Sequence, residues 1–273
     1  MKNTTLLLLS LLLLACGNKT GNGSATTPDA SAQGSSTTPG TSAQGSAPAD
    51  GAITFDLHQD HINCTISAEQ TGDTPWSPAV GEWLDERLGG CFDGDPRDLA
   101  ALVDFYGKAK TDTLRAAQED ALPDAELGFD AVMTKAYETD HIVTYTLSSF
   151  ISLGGAHPLT LEEGATFRKS DGRRLDWNIV RKAMDMELNS LLRKSLMDYF
   201  GVASEEDLEP YLSGTDIYDI PLPHTPPYLL ENGLAFIYQQ YELTGYAMGM
   251  PADTIGYERI KPLLTHSIQR LIP

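Results

Sequence analysis

The sequence is short of positive charge, of cysteine and of long apolar runs, and each shortage narrows what the chain can be. It has 19 lysine and arginine residues against 38 aspartate and glutamate residues, for a net charge of −19. A surface this acidic disfavours nucleic acid and anionic lipid as ligands and favours cationic partners, although its main effect is on solubility. The Gly-x-Ser-x-Gly, His-Glu-x-x-His, Walker and dinucleotide fingerprints are also missing. We therefore expect no cofactor and no catalytic residues.

The one long apolar run lies at the N-terminus. Residues 6–14 are leucine except for Ser10, and they lie between Lys2 and the pair Ala15-Cys16. The run is roughly half of the ~20 residues that a membrane-spanning helix needs. A positive charge, a short apolar core and a small residue at the cleavage point are instead the parts of a secretory signal. We predict that residues 1–15 are a signal peptide.

Cys16 directly follows this signal, which resembles the lipobox of bacterial lipoproteins. In those proteins the cysteine thiol carries diacylglycerol and the cysteine becomes the new N-terminus after cleavage. Two or three acyl chains such as palmitate would hold the protein on a membrane, since each buried CH₂ contributes about 0.8 kcal/mol. We expect the chain outside the cytoplasm, on the outer membrane or cell surface of a Gram-negative bacterium.

Residues 16–50 lack aromatic and large aliphatic side chains and consist mostly of glycine, serine, threonine, alanine, proline and glutamine. Such a segment cannot bury enough apolar surface to offset its ordering entropy. We predict a flexible, low-complexity linker with a root-mean-square span of roughly 30 Å.

Cys64 and Cys91 are the only other cysteines. An even pair in an oxidising compartment favours one disulfide, which would close a loop of ~28 residues and contribute about 3 kcal/mol. A zinc site would need histidine or carboxylate partners at matching spacing, and the sequence offers none. We predict the disulfide and no metal.

Residues 51–273 have the composition of a globular protein and group strands and helices in blocks. We predict an α+β fold with a largely antiparallel sheet and packed helices, divided into a small N-terminal subdomain (51–125) and a larger C-terminal one (126–273). The patterns indicate paired strands near 53–57 and 62–66, a helix capped by Asp95, a hairpin turn at Thr139-Asp140, an amphipathic helix over 184–199 closed by Gly201, a strand over 234–243 and a single last helix over 260–271.

Two segments carry a family resemblance. Residues 145–177 contain Gly154-Gly155-Ala156-His157 followed by Asp171-Gly172, and residues 233–264 contain Tyr241-Glu242-Leu243 and Tyr246-Ala247. Together they resemble a domain of unknown function found outside the membrane in bacterial lysozyme-sensing anti-sigma factors and beside the catalytic domain of some peptidoglycan deacetylases. The sigma-binding segment and transmembrane helix of those factors have no counterpart here, so a sigma-factor role is not implied.

The resemblance and the residue types give six candidates for ligand binding. The turn at Gly154 and Gly155 permits positive φ and presents His157, whose imidazole titrates near neutral pH. His157 is either a ligand-contacting or acid/base group or a structural residue whose ring nitrogen bonds a nearby carbonyl. The segment near 241–246 either lines a groove or packs, and its candidates are Tyr241, Glu242 and Tyr246.

The function expected from the sequence is that of a non-catalytic, lipid-anchored binding protein of the cell envelope. Its expected partners are the membrane, through Cys16, and either a cationic protein such as lysozyme or a peptidoglycan-type glycan. The acidic charge and the lysozyme-sensing relatives favour the first ligand, and the deacetylase association favours the second. The alternatives are an envelope hydrolase acting on cell-wall polymer through His157, or a structural envelope lipoprotein.

Overall fold

The computed structural model describes residues 51–273. The predicted signal peptide, the lipidation site Cys16 and the linker to residue 50 lie outside the described residues. Within the described part, no helix is both long enough and apolar enough to span a bilayer.

Six strands form one mixed sheet and follow one another across it in chain order. All neighbouring pairs are antiparallel except β2 and β3, which are parallel. The α+β class with a largely antiparallel sheet is therefore confirmed. The strands are β1 (Ile53–Gln59), β2 (Ile62–Ala68), β3 (Leu127–Glu138), β4 (Ile142–Ser152), β5 (Leu159–Arg168) and β6 (Arg174–Leu175).

Two helices, α1 (Ser77–Leu88) and α2 (Leu99–Gln118), connect β2 to β3. A parallel pair needs such a crossover, and the helices bury the apolar residues on one face of the sheet. The N-cap of α2 is Asp98, whose carboxylate accepts a hydrogen bond from the Ala101 amide at 3.0 Å. The predicted cap was wrong, because the Asp95 carboxylate instead accepts from the Arg97 amide, before the helix begins.

The sheet runs without a break across the predicted subdomain boundary at 125/126. β2 pairs with β3 from Ile62↔Leu127 to Ala68↔Met133. One core cluster also includes buried residues from both sides of that boundary, such as Leu84 of α1 and Phe167 of β5. The boundary thus falls inside one sheet and one core.

A second layer follows β6. It consists of α3 (Asp185–Phe200) and a three-stranded antiparallel sheet, with two short helices after it. As predicted, the amphipathic helix ends at Gly201, which adopts the left-handed φ of +67° that favours glycine. The remaining elements are β7 (Tyr228–Leu230), β8 (Gly233–Ile237), β9 (Ala252–Gly256), α4 (Tyr257–Ile260) and α5 (His266–Gln269).

Two elements of this layer differ from the sequence prediction. The strand expected to reach Leu243 ends at Ile237. The expected last helix is divided into α4, a 3₁₀ turn over Lys261–Leu263 and α5. Pro262 accounts for the division, since its ring lacks the N–H and the space that a continuous α-helix requires.

Candidate functional site

The Gly154-Gly155 turn forms part of the loop that joins β4 to β5. Gly154 has φ +76°, and a Cβ atom there would lie 3.4 Å from Cβ of Ala121 and 3.5 Å from Cβ of Ala125. A Cβ atom at Gly155 would meet nothing within 4 Å. Only Gly154 therefore has a backbone conformation that requires glycine, and it lets the loop pack against the connection between α2 and β3.

Two glutamine side chains attach the 239–246 segment to the free edge of β5. The Thr160 amide donates to Oε1 of Gln240 at 2.9 Å, and the Glu162 amide donates to Oε1 of Gln239 at 3.1 Å. Nε2 of Gln239 donates in return to the Glu162 carbonyl at 2.7 Å. These amides take the place of a neighbouring strand, and they bring the 239–246 segment close to the loop that carries His157.

Glu242 holds this segment in shape. One carboxylate oxygen accepts from the Gln239 amide at 2.7 Å and the other accepts from the His224 amide at 2.5 Å. The side chain is only 6 % exposed, whereas His224, with Nδ1 3.3 Å from the same carboxylate, is 87 % exposed. In this structure the carboxylate of this predicted ligand-binding residue is thus bonded to two backbone amides of its own chain.

Three of the predicted candidates stack on one another at the surface. The ring centroids of His157 and Tyr246 are 4.6 Å apart with an interplanar angle of 32°, and those of Tyr246 and Tyr241 are 5.5 Å apart at 33°. These separations are typical of favourable aromatic pairs. The backbone of Tyr241 adopts a left-handed conformation with φ +66°, and the residue is 59 % exposed. We call His157, Tyr246 and Tyr241 the aromatic stack.

His157 makes its main contact through its ring face. Neither ring nitrogen forms a hydrogen bond or ion pair with a residue of the described range 51–273. The structural role considered for His157, a ring nitrogen bonded to a backbone carbonyl, is therefore not the arrangement in the structure. No carboxylate is joined to the imidazole within this range either, so the geometry does not assemble an acid/base pair there.

A small core connects the segment that carries Tyr241 and Tyr246 to residues 205–221, and Leu243 is one of its members. The Ser213 amide donates to the Leu243 carbonyl at 3.1 Å, and the Tyr238 hydroxyl donates to the Pro221 carbonyl at 2.8 Å. Both bonds hold the 205–221 region against the segment that carries Tyr241 and Tyr246. The buried side chains of this core are Leu196, Leu208, Leu212, Ile220, Tyr238 and Leu243.

The charge around the stack is strongly one-sided. Residues 195–258 contain no lysine or arginine and eleven aspartate and glutamate residues, so more than half of the net charge of −19 falls there. We call this range the acidic segment. Sequence reasoning that used only the total charge missed it, although the local absence of lysine and arginine was a readable signal. Its exposed carboxylates within residues 205–221 are Glu206, Asp207, Glu209, Asp216 and Asp219.

The predicted disulfide is not formed in the structure, where both thiols are free. Cys64 is buried in β2, and its Sγ donates to the Gly107 carbonyl of α2 at 3.6 Å. Cys91 is exposed just beyond α1, with its Sγ directed to the Gly89 carbonyl. The prediction rested on an even count in an oxidising compartment and not on geometry, which places one thiol inside the core and the other on the surface.

Two histidines lie with carboxylates at the β1–β2 turn. Nε2 of His58 is 3.0 Å from Asp56, and Nδ1 of His61 is 2.7 Å from Glu126. The hydrogen bond to Asn63 and the Asp56 charge raise the pKa of His58, and the hydrogen bond and charge of Glu126 raise the pKa of His61. Among residues 51–273, no group of three or more potential metal ligands comes together.

Solved structures share this fold, among them two DUF3298 family proteins. A DUF3298 family member from Bacteroides fragilis superposes with a TM-score of 0.62 at 21 % identity, covering 78 % of this chain and 91 % of that one. A DUF3298 family protein from Pseudomonas aeruginosa PAO1 gives a TM-score of 0.57 at 14 % identity, covering 81 % and 95 %. No family model matches the sequence, and no curated protein does. At these identities the likeness concerns the fold alone.

Proposed function

We propose that the chain is a non-catalytic binding module of the cell envelope whose contact surface is the aromatic stack. The observation that carries the proposal is the exposure of a stacked Tyr241 and His157 at a surface supported by the acidic segment. Exposed aromatic rings that are held rigidly are typical binding anchors, because they bury a large area on contact and lose little side-chain entropy.

The preferred ligand is a cationic protein such as a c-type lysozyme. A lysine or arginine of the partner can lie over the exposed ring of Tyr241, where a cation–π contact contributes about 0.5–1 kcal/mol or more. The carboxylates of the acidic segment attract such a partner before contact, and opposite charge mainly accelerates association. Stack and charge thus support the same class of ligand, which is also the one that the resemblance to lysozyme-sensing domains implies.

A peptidoglycan-type glycan is the second candidate. The ring of Tyr241, which is tilted by only 33° from that of Tyr246, is 59 % exposed and can serve as a platform for a ligand. A sugar ring offers an apolar face of similar size that can lie on such a platform. This ligand carries little positive charge, so its binding would depend on the rings and hardly on salt.

Attachment to the membrane through a lipid on Cys16 is part of the same proposal. The support is the apolar run and the small residue that precede Cys16. We expect Cys16→Ser to leave the protein in the soluble fraction or with its signal uncut. A processed Cys16→Ser protein that still sediments with membranes would show that another feature anchors the chain.

The contact surface is tested by titrating the full chain, in mild non-ionic detergent, with a c-type lysozyme by calorimetry. Tyr241→Ala should weaken binding by about tenfold or more, since exposed tyrosine anchors at interfaces contribute on the order of 1–2 kcal/mol. His157→Ala should weaken it less, because it removes a neighbour of the anchor. Tyr218→Ala is the matched control, since Tyr218 is 62 % exposed in the acidic segment but lies outside the stack.

Salt and soluble peptidoglycan fragments separate the ligands. Raising the ionic strength from low to physiological should reduce lysozyme affinity, mostly through the association rate. Binding of glycan fragments that is lost in Tyr241→Ala and insensitive to salt would favour the second candidate. If Tyr241→Ala changes neither titration, the aromatic stack is not the contact surface and the proposal is refuted.

A further inference from the structure

The two long edges of the six-stranded sheet are finished differently. At one edge, β5 is covered by β6 and by the amides of Gln239 and Gln240. At the other edge, β1 pairs with β2 through all seven of its residues, and no strand of residues 51–273 lies on its outer side. Unpaired edges are ready templates for another strand, so their treatment is informative.

The turn between β1 and β2 fixes which backbone groups of β1 point outward. Asp60 and His61 form a two-residue connection and both have positive φ, +48° and +65°. Such a turn makes its flanking pair, Gln59 and Ile62, a hydrogen-bonded pair, and the pairs then alternate along the ladder. The residues whose N–H and C=O groups face outward are therefore Thr54, Asp56 and His58.

These outward groups form no hydrogen bond with any backbone or side-chain group of residues 51–273. The side chains of the same residues bond across to β2: Thr54 to Ser67, Asp56 to Thr65 and His58 to Asn63. These bonds hold the strand in register with β2, and the outward backbone groups remain unpaired within residues 51–273.

The side chains along this edge also indicate which residues an added strand should carry. Ile53, Phe55 and Leu57 point to the helix-covered face but are only partly buried, whereas their cross-strand partners Ala68, Ile66 and Cys64 on β2 are fully buried. An added strand with apolar residues at alternate positions would complete this burial. On the opposite face, the added strand would lie beside Asp56 and would gain from positive charge.

We propose that the outer edge of β1 binds an extended segment of a partner protein in which apolar and cationic residues alternate. This is a second interaction surface, separate from the aromatic stack. Main-chain hydrogen bonds would supply affinity and the alternating side chains would supply specificity, as in strand addition to other open sheets.

Two other occupants fit less well. In a symmetric antiparallel pair of β1 strands from two copies, Asp56 lies at the centre and faces its own equivalent, and each copy carries a charge of −19. Like charges directly opposite one another destabilise a sheet. The chain's own residues 17–50 contain no large aliphatic or aromatic side chain and so cannot complete the apolar row.

The probe is a synthetic seven-residue peptide of alternating valine and lysine, labelled with a fluorophore and titrated into the full chain in mild non-ionic detergent. Binding followed by anisotropy should saturate, and backbone amide exchange of Thr54, Asp56 and His58 should slow on binding. The control is the same peptide with N-methyl groups on alternate residues, which removes the ladder donors. It should bind about tenfold more weakly or worse, since each lost hydrogen bond costs about 0.5–1.5 kcal/mol.

Charge at the edge is tested with a matched pair of variants. Asp56→Lys should weaken binding of the peptide by about tenfold. Glu82→Lys makes an equal change in charge at an exposed position of α1 and should have little effect. Equal binding of the methylated and unmethylated peptides would overturn the proposal, as would equal effects of the two variants. So would slow amide exchange at these three residues before any peptide is added, because a second copy or the chain's own N-terminal segment would then occupy the edge.

Discussion

Replacing Gln239 by leucine tests the link between the sheet edge and the candidate site. Gln239 is 9 % exposed, and its amide satisfies both the N–H and the C=O of Glu162. Leucine has nearly the same volume but no polar group, so Gln239→Leu leaves two backbone groups without their partners. An unsatisfied buried donor or acceptor costs about 1–3 kcal/mol. We therefore expect the free energy of unfolding to fall by about 2–6 kcal/mol for the two groups together.

The measurement is equilibrium unfolding in urea, with Gln70→Leu as the control. Gln70 also donates to a backbone carbonyl, that of Gly51 at 3.1 Å, but it does so at the surface where water can replace it. Its loss should cost less than about 0.5 kcal/mol. A decrease below about 0.5 kcal/mol for Gln239→Leu would show that the β5 edge does not depend on this amide. Lysozyme affinity should fall as well, although none of the three rings of the aromatic stack has been altered.

Three further outcomes follow from individual residues. Of the two thiols in residues 51–273, Ellman titration should find only the exposed Cys91 in the folded protein and both after unfolding. Burial shields Cys64 and raises the pKa of its thiol. A folded protein without a reactive thiol would contradict the two free cysteines. Burial, with the charge of Glu69, raises the pKa of Tyr145 from the ordinary ~10 to about 12. Between these two pKa values the folded state keeps a proton that the unfolded chain releases. The free energy of unfolding should therefore be constant below pH ~10 with respect to this group and should decline towards pH ~12. The decline should be less steep in Tyr145→Phe. Gly164→Ala should destabilise the protein by about 1–3 kcal/mol, since a Cβ atom there would lie 2.4 Å from the ring of the buried Tyr228; wild-type urea stability would refute the close packing.

Much of the fold could be predicted because its signals are local. The amphipathic spacing that ends at Gly201 gives α3, and the two-residue break at Thr139-Asp140 lies within the turn between β3 and β4. The parallel pairing of β2 with β3 was not predicted, because it joins segments that are far apart in sequence through α1 and α2. No local pattern states which strand a distant strand will choose as its neighbour.

The cysteine pair shows a different limit. Cys64 alternates with Ile62 and Ile66 along β2, and this same pattern that predicted the strand also places the thiol on the face that packs against α2. The alternation therefore also predicts that the thiol is buried in the core. A count of cysteines carries no such geometric information, and the disulfide predicted from it is not formed in the structure.

Tyr241 and Glu242 are neighbours with opposite fates, and the backbone explains the difference. Tyr241 has φ +66°, and this left-handed residue turns the chain so that its ring remains at the surface beside Tyr246. Glu242 then points back into the protein and satisfies two backbone amides, those of Gln239 and His224. A non-glycine residue in the left-handed region costs free energy that the surrounding bonds must offset. Because Glu242 supplies those bonds, Glu242→Gln should loosen the turn and lower ligand affinity through the position of Tyr241, while Tyr241→Ala should lower it directly and leave the turn intact.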